Sequence, residues 1–194
     1  MFYLSLMEHT LLLPPHLLNR PLQDGIKEEL QNIFLDKVIA NLGLCISIYD
    51  IRKIDGGFIY PAEGASTYTV EFRMVVFRPF VGEVIVADLK ESNEDVSLGF
   101  FDDIYIPEHE LPIPHSHSPD PYNRNKVIWT WEFVQEEGNP PTILTIDGTD
   151  VIKFRVVNVK YPPIPIEQTE KPFAPMVVTG TLNFDGLGPV SWWW

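Results

Sequence analysis

The chain has 194 residues, and its 27 acidic and 14 basic side chains give a formal net charge of −13. This acidity argues against a nucleic-acid binder that works through bulk electrostatics, because phosphate binding favours a basic surface. Hydrophobic residues make up 45% of the sequence, which is too apolar for a disordered acidic chain. The single cysteine, Cys45, excludes an intramolecular disulfide and a zinc site built on several thiolates.

The sequence contains no apolar run of about 18 residues, so no membrane association is expected. The first 15 residues lack a basic segment and carry Glu8 and His9, which is untypical of a secretory signal. Together with the lone cysteine, this pattern predicts the reducing interior of a cell.

Charge and proline divide the chain into two parts. Residues 1–80 carry seven basic and nine acidic side chains, a net of −2, whereas residues 81–194 carry seven and eighteen, a net of −11. Most of the 18 prolines lie beyond Pro107. We therefore predict two domains, 1–80 and 81–194, that meet near Phe80.

The sequence pattern of the first part predicts a helix packed on a small antiparallel sheet, which is an α+β arrangement. A short strand from Phe2 to Met7 is followed by a Pro14-Pro15 break and then by a helix that Gly43 ends. Its apolar side chains recur at three- and four-residue spacing, at Leu22, Ile26, Leu30, Ile33, Phe34 and Val38.

Two strands follow this helix. The first, from Leu44 to Ile54, has largely apolar residues on both faces and is expected to be covered on both sides. A glycine-rich bend from Gly56 to Gly64 then leads into a second strand that alternates as far as Phe77.

The second part predicts an all-β domain. Five or so short strands in about a hundred residues are typical of a small barrel such as an OB-fold. Two proline-rich connections, 107–126 and 161–175, are expected to be surface excursions with little regular structure. The predicted strands are Val81–Leu89, Val96–Phe101, Ile104–Ile106, Val127–Val134, Val151–Val159 and Val177–Phe184.

No catalytic, cofactor or metal site is predicted. The sequence has no phosphate-cradling glycine motif and no nucleophile elbow. His115 and His117 could share one side of an extended segment, but the flanking prolines favour a solvated loop. Asp102 and Asp103, with Glu108 and Glu110 nearby, could hold Mg²⁺, although an acidic turn between two strands also favours Asp.

Two residue sets indicate recognition instead. The loop 56–66 carries Phe58, Ile59 and Tyr60, which either fold back onto their own sheet or dock on a protein. The predicted barrel strands carry the second, aromatic set, and small barrels stack bases on such side chains. Because Trp129 and Trp131 share a face with Val127, a core or interface face is favoured for them over a base platform. The second set is Phe100, Phe101, Tyr105, Trp129 and Trp131.

The segment that bridges the two parts, Phe77-Arg-Pro-Phe80-Val-Gly82-Glu83-Val84, resembles the junction of a known family. That family is the RNA polymerase stalk subunit of archaeal and eukaryotic nuclear polymerases, in which an N-terminal tip domain (RNP-like) leads into an S1-type OB-fold. The chain is similar to the RNA polymerase III member over nearly its whole length. The matching motifs are Met1-Phe2-Tyr3, the Gly57…Pro61…Gly64 spacing, Leu42–Cys45, Gly64–Ser66, Val75–Phe77, Val96–Ile104, Ile106-Pro107, Gly186-Leu-Gly188 and Ser191–Trp193.

The resemblance implies a non-catalytic nuclear subunit without a cofactor. Such a subunit pairs with a small helical stalk partner, docks on the RNA polymerase III core through its tip loop, and holds its OB-fold near nascent RNA. It implies roles in initiation and in the synthesis of short transcripts such as tRNA and 5S rRNA. Core docking is implied for Gly57, Phe58, Ile59, Tyr60, Pro61, Gly64 and Ala65, and RNA contact for Lys90, Phe100, Phe101 and Tyr105.

The charge of the barrel half departs from this pattern, because RNA-binding OB-folds usually show a basic face. Either its cations are concentrated on one face, or RNA contact is weak and the acidic surface binds a protein instead. Three alternatives stay open: a free-standing S1-type RNA-binding factor, the equivalent subunit of another nuclear polymerase, and a metal-dependent hydrolase that uses Asp102, Asp103 and Glu108.

Overall fold

A computed structural model describes residues 1–61, 64–90, 95–97, 100–121, 127–134, 140–146, 151–163 and 175–193. These residues are mostly β, with one α-helix and three sheets, which confirms the predicted mixture of one helix with antiparallel β structure. The chain divides into two compact units, of which the first contains residues 1–78 and the second begins at Pro79. Residues 161–163 and 175–176 belong to the first unit. None of the helices described is both long and apolar enough to cross a membrane.

The first unit is a four-stranded antiparallel sheet with one helix against it. The strand order is β1-β4-β3-β2, so β1 lies at an edge and pairs with β4 along its whole length. The elements are β1 (Phe2–Leu13), a 3-10 helix (Pro15–Asn19), α1 (Leu22–Phe34), β2 (Val38–Ile39), β3 (Gly43–Ile59) and β4 (Ser66–Phe77).

The core of this unit lies between the apolar stripe of the helix and the apolar face of the sheet. The stripe of α1 that contains Ile26, Leu30 and Phe34 is buried against alternate residues of β4. The buried β4 residues are Val70, Phe72, Met74 and Val76. The residues between them, such as Glu71 and Arg73, consequently point to the sheet face opposite the helix, which we call the outer face.

The predicted end of the helix is wrong. The helix ends at Phe34, because Leu35 is extended, with its N–H bonded to the Gln31 carbonyl, and Asp36 adopts a φ of 58°. Val38 therefore belongs to β2. Gly43 begins β3 with a φ of 122°, where a Cβ would lie 2.3 Å from the Phe77 carbonyl oxygen.

The predicted strand lengths are also wrong in this unit. β1 continues beyond Met7 to Leu13, because its alternation persists through Leu11 and Leu13, which are buried. β3 runs through the expected glycine bend, since Gly56 and Gly57 adopt φ values of 107° and 94° and a register shift lies beside them. The glycines thus supply a β-bulge rather than a loop.

The second unit contains a six-stranded sheet that closes on itself. The order is β12-β7-β6-β5-β11-β13, and β12 also pairs with β11, so β5, β6, β7, β12 and β11 form a ring. This closure is consistent with the predicted small barrel. The strands are β5 (Val84–Leu89), β6 (Asp95–Ser97), β7 (Ile104–Tyr105), β11 (Val151–Lys160), β12 (Val177–Thr181) and β13 (Gly188–Pro189).

A three-stranded antiparallel sheet, of order β10-β9-β8, lies in the same unit. The expectation that 107–126 lacks regular structure is wrong in part, because β8 (His115–Pro119) lies within it. The extended segment that begins at His115 pairs with β9 (Val127–Phe133). Of the predicted strand Val96–Phe101, Val96 and Ser97 belong to β6, whereas Phe100 and Phe101 lie outside any strand. Residues 122–126 and 164–174 of the two proline-rich connections lie outside the described residues. The elements are a 3-10 helix (Glu108–Glu110), β8 (His115–Pro119), β9 (Val127–Phe133), β10 (Thr142–Ile146) and a C-terminal 3-10 helix (Val190–Trp193).

Candidate recognition surfaces

The end of the β3–β4 hairpin, which we call the tip hairpin (described residues of 56–66), presents apolar side chains to solvent. Phe58, Ile59 and Tyr60 are 66%, 65% and 55% exposed. They therefore do not fold back onto their own sheet, which was one of the two sequence interpretations. Consecutive large apolar side chains in water at the end of a hairpin are typical of an interaction site.

The fold constrains the predicted docking residues of the tip hairpin to different degrees. Gly57 is held at a positive φ, and a Cβ there would lie 3.3 Å from the Tyr68 ring. Gly64 has no such constraint, because nothing lies within 4 Å of the position of its Cβ. Pro61 lies in the turn and Ala65 is half-buried. A substitution at Gly64 therefore tests docking without disturbing the fold.

The outer face of the first sheet is a second surface, and the prediction that the strand Leu44–Ile54 is covered on both sides already indicated it. Phe2, Leu4 and Leu6 point to this face and are 50%, 48% and 60% exposed. The signal was present in the sequence, because β1 is apolar at both its odd and its even positions. A strand with one apolar face in the core and another in water predicts a covering partner.

Two ion pairs lie on the outer face, one between β4 and β3 and one within β3. Arg73 donates from Nε to Oδ1 of Asp50 at 2.8 Å and from its second nitrogen to Oδ2, and it lies over the Tyr49 ring. This bidentate bond lowers the pKa of Asp50 below its ordinary value. Lys53 binds the Asp55 carboxylate at 2.5 Å, which raises the pKa of Lys53.

The barrel residues predicted to contact RNA differ in how accessible they are. Phe100 and Tyr105 are 48% and 38% exposed, whereas Phe101 is 6% exposed and belongs to the core. Burial speaks against base stacking by Phe101. Lys90 lies 3.1 Å from the Asp102 carboxylate, so its charge already has a protein partner. RNA contact stays a prediction for Lys90, Phe100 and Tyr105.

The β8–β10 sheet gathers aromatic side chains on one face. Its register sets His115 opposite Trp131 and His117 opposite Trp129, and both imidazoles contact the Trp129 ring. His115 and His117 thus lie on a strand, which corrects the expected solvated loop. The C-terminal Trp192 packs against Trp131 at 5.4 Å between ring centroids.

The C-terminal tryptophans, whose role the sequence left open, bind their own unit. Trp192 donates its indole N–H to the Thr145 carbonyl and Trp193 donates to the Leu187 carbonyl. Trp194 lies outside the described residues.

Among the described residues, no three His, Cys, Asp or Glu side chains converge closely enough to hold a metal ion. Asp102, one of the three carboxylates of the hydrolase alternative, contacts Lys90. Cys45 is buried in the first core, and burial raises the pKa of its thiol to about 11. A protonated buried thiol is a poor nucleophile.

Comparison with known proteins places both units in one family. Residues 8–64 match the SHS2 domain found in the N terminus of Rpb7p/Rpc25p/MJ0397, and residues 83–172 match RNA polymerase III subunit Rpc25. The whole chain is 36% identical to the Bos taurus DNA-directed RNA polymerase III subunit RPC8, over 98% of the length of that protein.

The chain belongs to the RPC8 family of RNA polymerase III subunits. The subunits of this family from Saccharomyces cerevisiae and Schizosaccharomyces pombe are 34% and 31% identical, and in both the match covers all of each sequence. The resemblance to the polymerase stalk-subunit family, and to its RNA polymerase III member, is therefore confirmed. The roles of individual residues that the resemblance implies remain predictions.

Proposed function

We propose that this chain is the non-catalytic stalk subunit of RNA polymerase III in the nucleus and that the tip hairpin docks it on the polymerase core. The observation that carries the proposal is the exposure of Phe58, Ile59 and Tyr60 in a chain of the RPC8 family. Exposed apolar side chains on a rigid hairpin gain binding energy when a partner covers them, without a large ordering cost. Gly57 shapes that hairpin through its positive φ, and Pro61, Gly64 and Ala65 complete the proposed docking surface.

In this proposal residues 1–80 form a tip domain and residues 81–194 form an S1-type OB-fold. The ring of five strands supports the OB-fold, because a small barrel of this kind has five strands. A small helical stalk partner pairs with the first unit. Nascent RNA contacts the barrel weakly and locally, through Phe100, Tyr105 and Lys90, and this contact supports initiation on tRNA and 5S rRNA genes.

The test is co-purification of a tagged chain from nuclear extract, with the associated proteins identified by mass spectrometry. The wild-type chain should recover RNA polymerase III subunits. Ile59→Asp and Gly64→Arg should reduce the recovery of core subunits at least roughly tenfold, because each places a charge in an apolar contact. Ile143→Asp is the matched control, since Ile143 is also 65% exposed but lies on β10.

Two outcomes would contradict the proposal. If the wild-type chain recovers no polymerase subunits but binds single-stranded RNA with a clear salt dependence, the chain is a free-standing RNA-binding factor. If it recovers subunits of another nuclear polymerase, the docking role holds and the assignment to RNA polymerase III does not.

A further inference from the structure

Strand β11 of the second unit carries most of the positive charge that the structure describes there. Of the four basic side chains described in residues 81–194, three lie on this strand, at Lys153, Arg155 and Lys160. Lys153 and Arg155 point outward, because the alternate residues Ile152 and Phe154 are buried in the barrel. Two residues on one face of a strand, separated by one other, are about 6.6 Å apart along it.

Within the described part of the chain, neither Lys153 nor Arg155 has a carboxylate partner. The Lys153 ammonium forms no hydrogen bond or ion pair there. The Arg155 guanidinium lies over the Phe184 ring, 4.3 Å from its centroid, and its buried Nε has no hydrogen-bond partner. Asp88, on the neighbouring strand, lies opposite Val151 rather than opposite Lys153. Both positive charges are therefore available to a ligand.

The two cations lie within an apolar surface. Across the pairing of β5 with β11, Lys153 lies opposite Val86 and Arg155 lies opposite Val84, and both valines are exposed. On its other side Lys153 borders a cleft of about 320 Å³, which is otherwise lined by Gly186, Val190 and Trp193. We call Val84, Val86, Lys153, Arg155 and this cleft the β11 face.

We propose that the β11 face binds an extended acidic segment of another protein. The segment carries two carboxylates two residues apart, with a large apolar side chain next to them in the same row. The carboxylates pair with Lys153 and Arg155, because an extended segment has the same two-residue spacing as β11. The apolar side chain enters the cleft, and the segment covers Val84 and Val86. The β11 face shares no residue with the tip hairpin or with the predicted RNA contacts.

Charge complementarity favours an acidic protein segment over RNA. Two cations match two carboxylates, whereas an RNA strand carries a phosphate at every nucleotide and would extend over a half of the chain with seven basic and eighteen acidic side chains. Phe184 offers a base only one ring face, because Arg155 covers the other. The aliphatic Val84 and Val86 provide no stacking surface for bases, but they do pack against protein side chains.

The experiment measures binding of a dye-labelled peptide, Leu-Ser-Asp-Ser-Asp-Ser-Leu, to the full-length chain by fluorescence anisotropy at about 0.15 M salt. Its leucines and aspartates project from one side when it is extended. Lys153→Glu and Val86→Asp should each raise the dissociation constant at least roughly tenfold, because each places a negative charge against the carboxylates. The thermal midpoints of both variants should match the wild type, since both positions are exposed.

Two matched variants serve as controls, and each should bind the peptide within about twofold of the wild type. Lys160→Glu reverses a charge on the same strand, about 23 Å from Lys153 and thus well beyond the Debye length of about 8 Å. Val134→Asp repeats the valine substitution at a position that is as exposed as Val86 but lies outside the β11 face.

Two further peptides test the chemistry of the segment. Replacing both aspartates by asparagine should weaken binding at least roughly tenfold, because the charge pairs are lost. The peptide Leu-Ser-Asp-Asp-Ser-Ser-Leu has the same composition but adjacent carboxylates. It should also bind more weakly, because neighbouring side chains of an extended chain point to opposite sides.

The proposal is overturned if the wild-type chain does not bind the first peptide, if Lys153→Glu and Val86→Asp bind it as the controls do, or if both aspartate spacings bind equally. It is also overturned if a ten-nucleotide oligouridine binds the chain and Lys153→Glu abolishes that binding, or if light scattering shows a dimer that Lys153→Glu dissociates. The docking role of the tip hairpin survives each of these results, because none of them involves the polymerase.

Discussion

The tip hairpin and the barrel both carry residues that the sequence indicated for recognition, but these residues differ in their exposure to solvent. In the tip hairpin, Phe58, Ile59 and Tyr60 are all more than half exposed. In the barrel, Phe101 is buried and Lys90 is paired with Asp102. The difference teaches that the tip hairpin offers apolar surface for a protein, whereas Lys90 and Phe101, two of the four barrel residues predicted to contact RNA, are engaged within their own unit.

The sharpest test of this contrast is the neighbouring pair Phe100 and Phe101. Phe101→Ala should lower the free energy of unfolding by about 3–5 kcal/mol, because it leaves a cavity in a closed core. Phe100→Ala, at a site that is 48% exposed, should cost about 1 kcal/mol or less. Urea unfolding of both variants measures the difference. Equal costs would mean that Phe101 is not a core residue, and its candidacy for RNA contact would return.

Two glycines of the first unit give the next largest contrast. Gly43→Ala should cost about 3 kcal/mol, because a φ of 122° is strained for alanine and its Cβ would meet the Phe77 carbonyl oxygen at 2.3 Å. Gly64→Ala should change the free energy of unfolding by less than about 0.5 kcal/mol, because its Cβ meets nothing within 4 Å. Thermal unfolding of the two variants decides the matter, and a large cost at Gly64 would remove it as a clean probe of docking.

These contrasts show what the sequence could predict. The alternation in β4 and the stripe of α1 gave the first core correctly, because their periods match the structures they form. The end of α1 and the extension of β3 through Gly56 and Gly57 could not be predicted, because each depends on a local backbone conformation that composition does not reveal. Phe100 and Phe101 are chemically identical, so only their positions in the fold separate an exposed ring from a buried one.

The β8–β10 sheet illustrates a second limit. The prolines around His115 and His117 indicated a loop, but pairing with β9 overrode them. Long-range pairing of this kind is invisible to local propensity. Likewise the outer face depends on which strand is the neighbour of β1, and that neighbour lies more than fifty residues away along the chain.

A smaller effect is expected where the C-terminal helix contacts this sheet. Trp192→Phe keeps a ring against Trp131 but removes the N–H that donates to the Thr145 carbonyl. The lost hydrogen bond should cost about 1 kcal/mol in the free energy of unfolding. The matched variant is Trp193→Phe, which loses its hydrogen bond to the Leu187 carbonyl but keeps the Trp192 bond to β10. A zero cost for Trp192→Phe would show that the C-terminal helix does not secure the sheet.

The smallest effect concerns Asp50 on the outer face, where Arg73 pairs with its carboxylate. Because Arg73 lowers the pKa of Asp50 in the folded state, the pair stabilises the fold at pH values above the ordinary carboxyl pKa of about 3.9. That contribution is lost as the pH falls through the lowered pKa. Asp50→Asn and Arg73→Gln should therefore both flatten the fall in stability below about pH 4, measured by thermal unfolding across pH. An unchanged acid profile in either variant would show that the pair is not formed in solution.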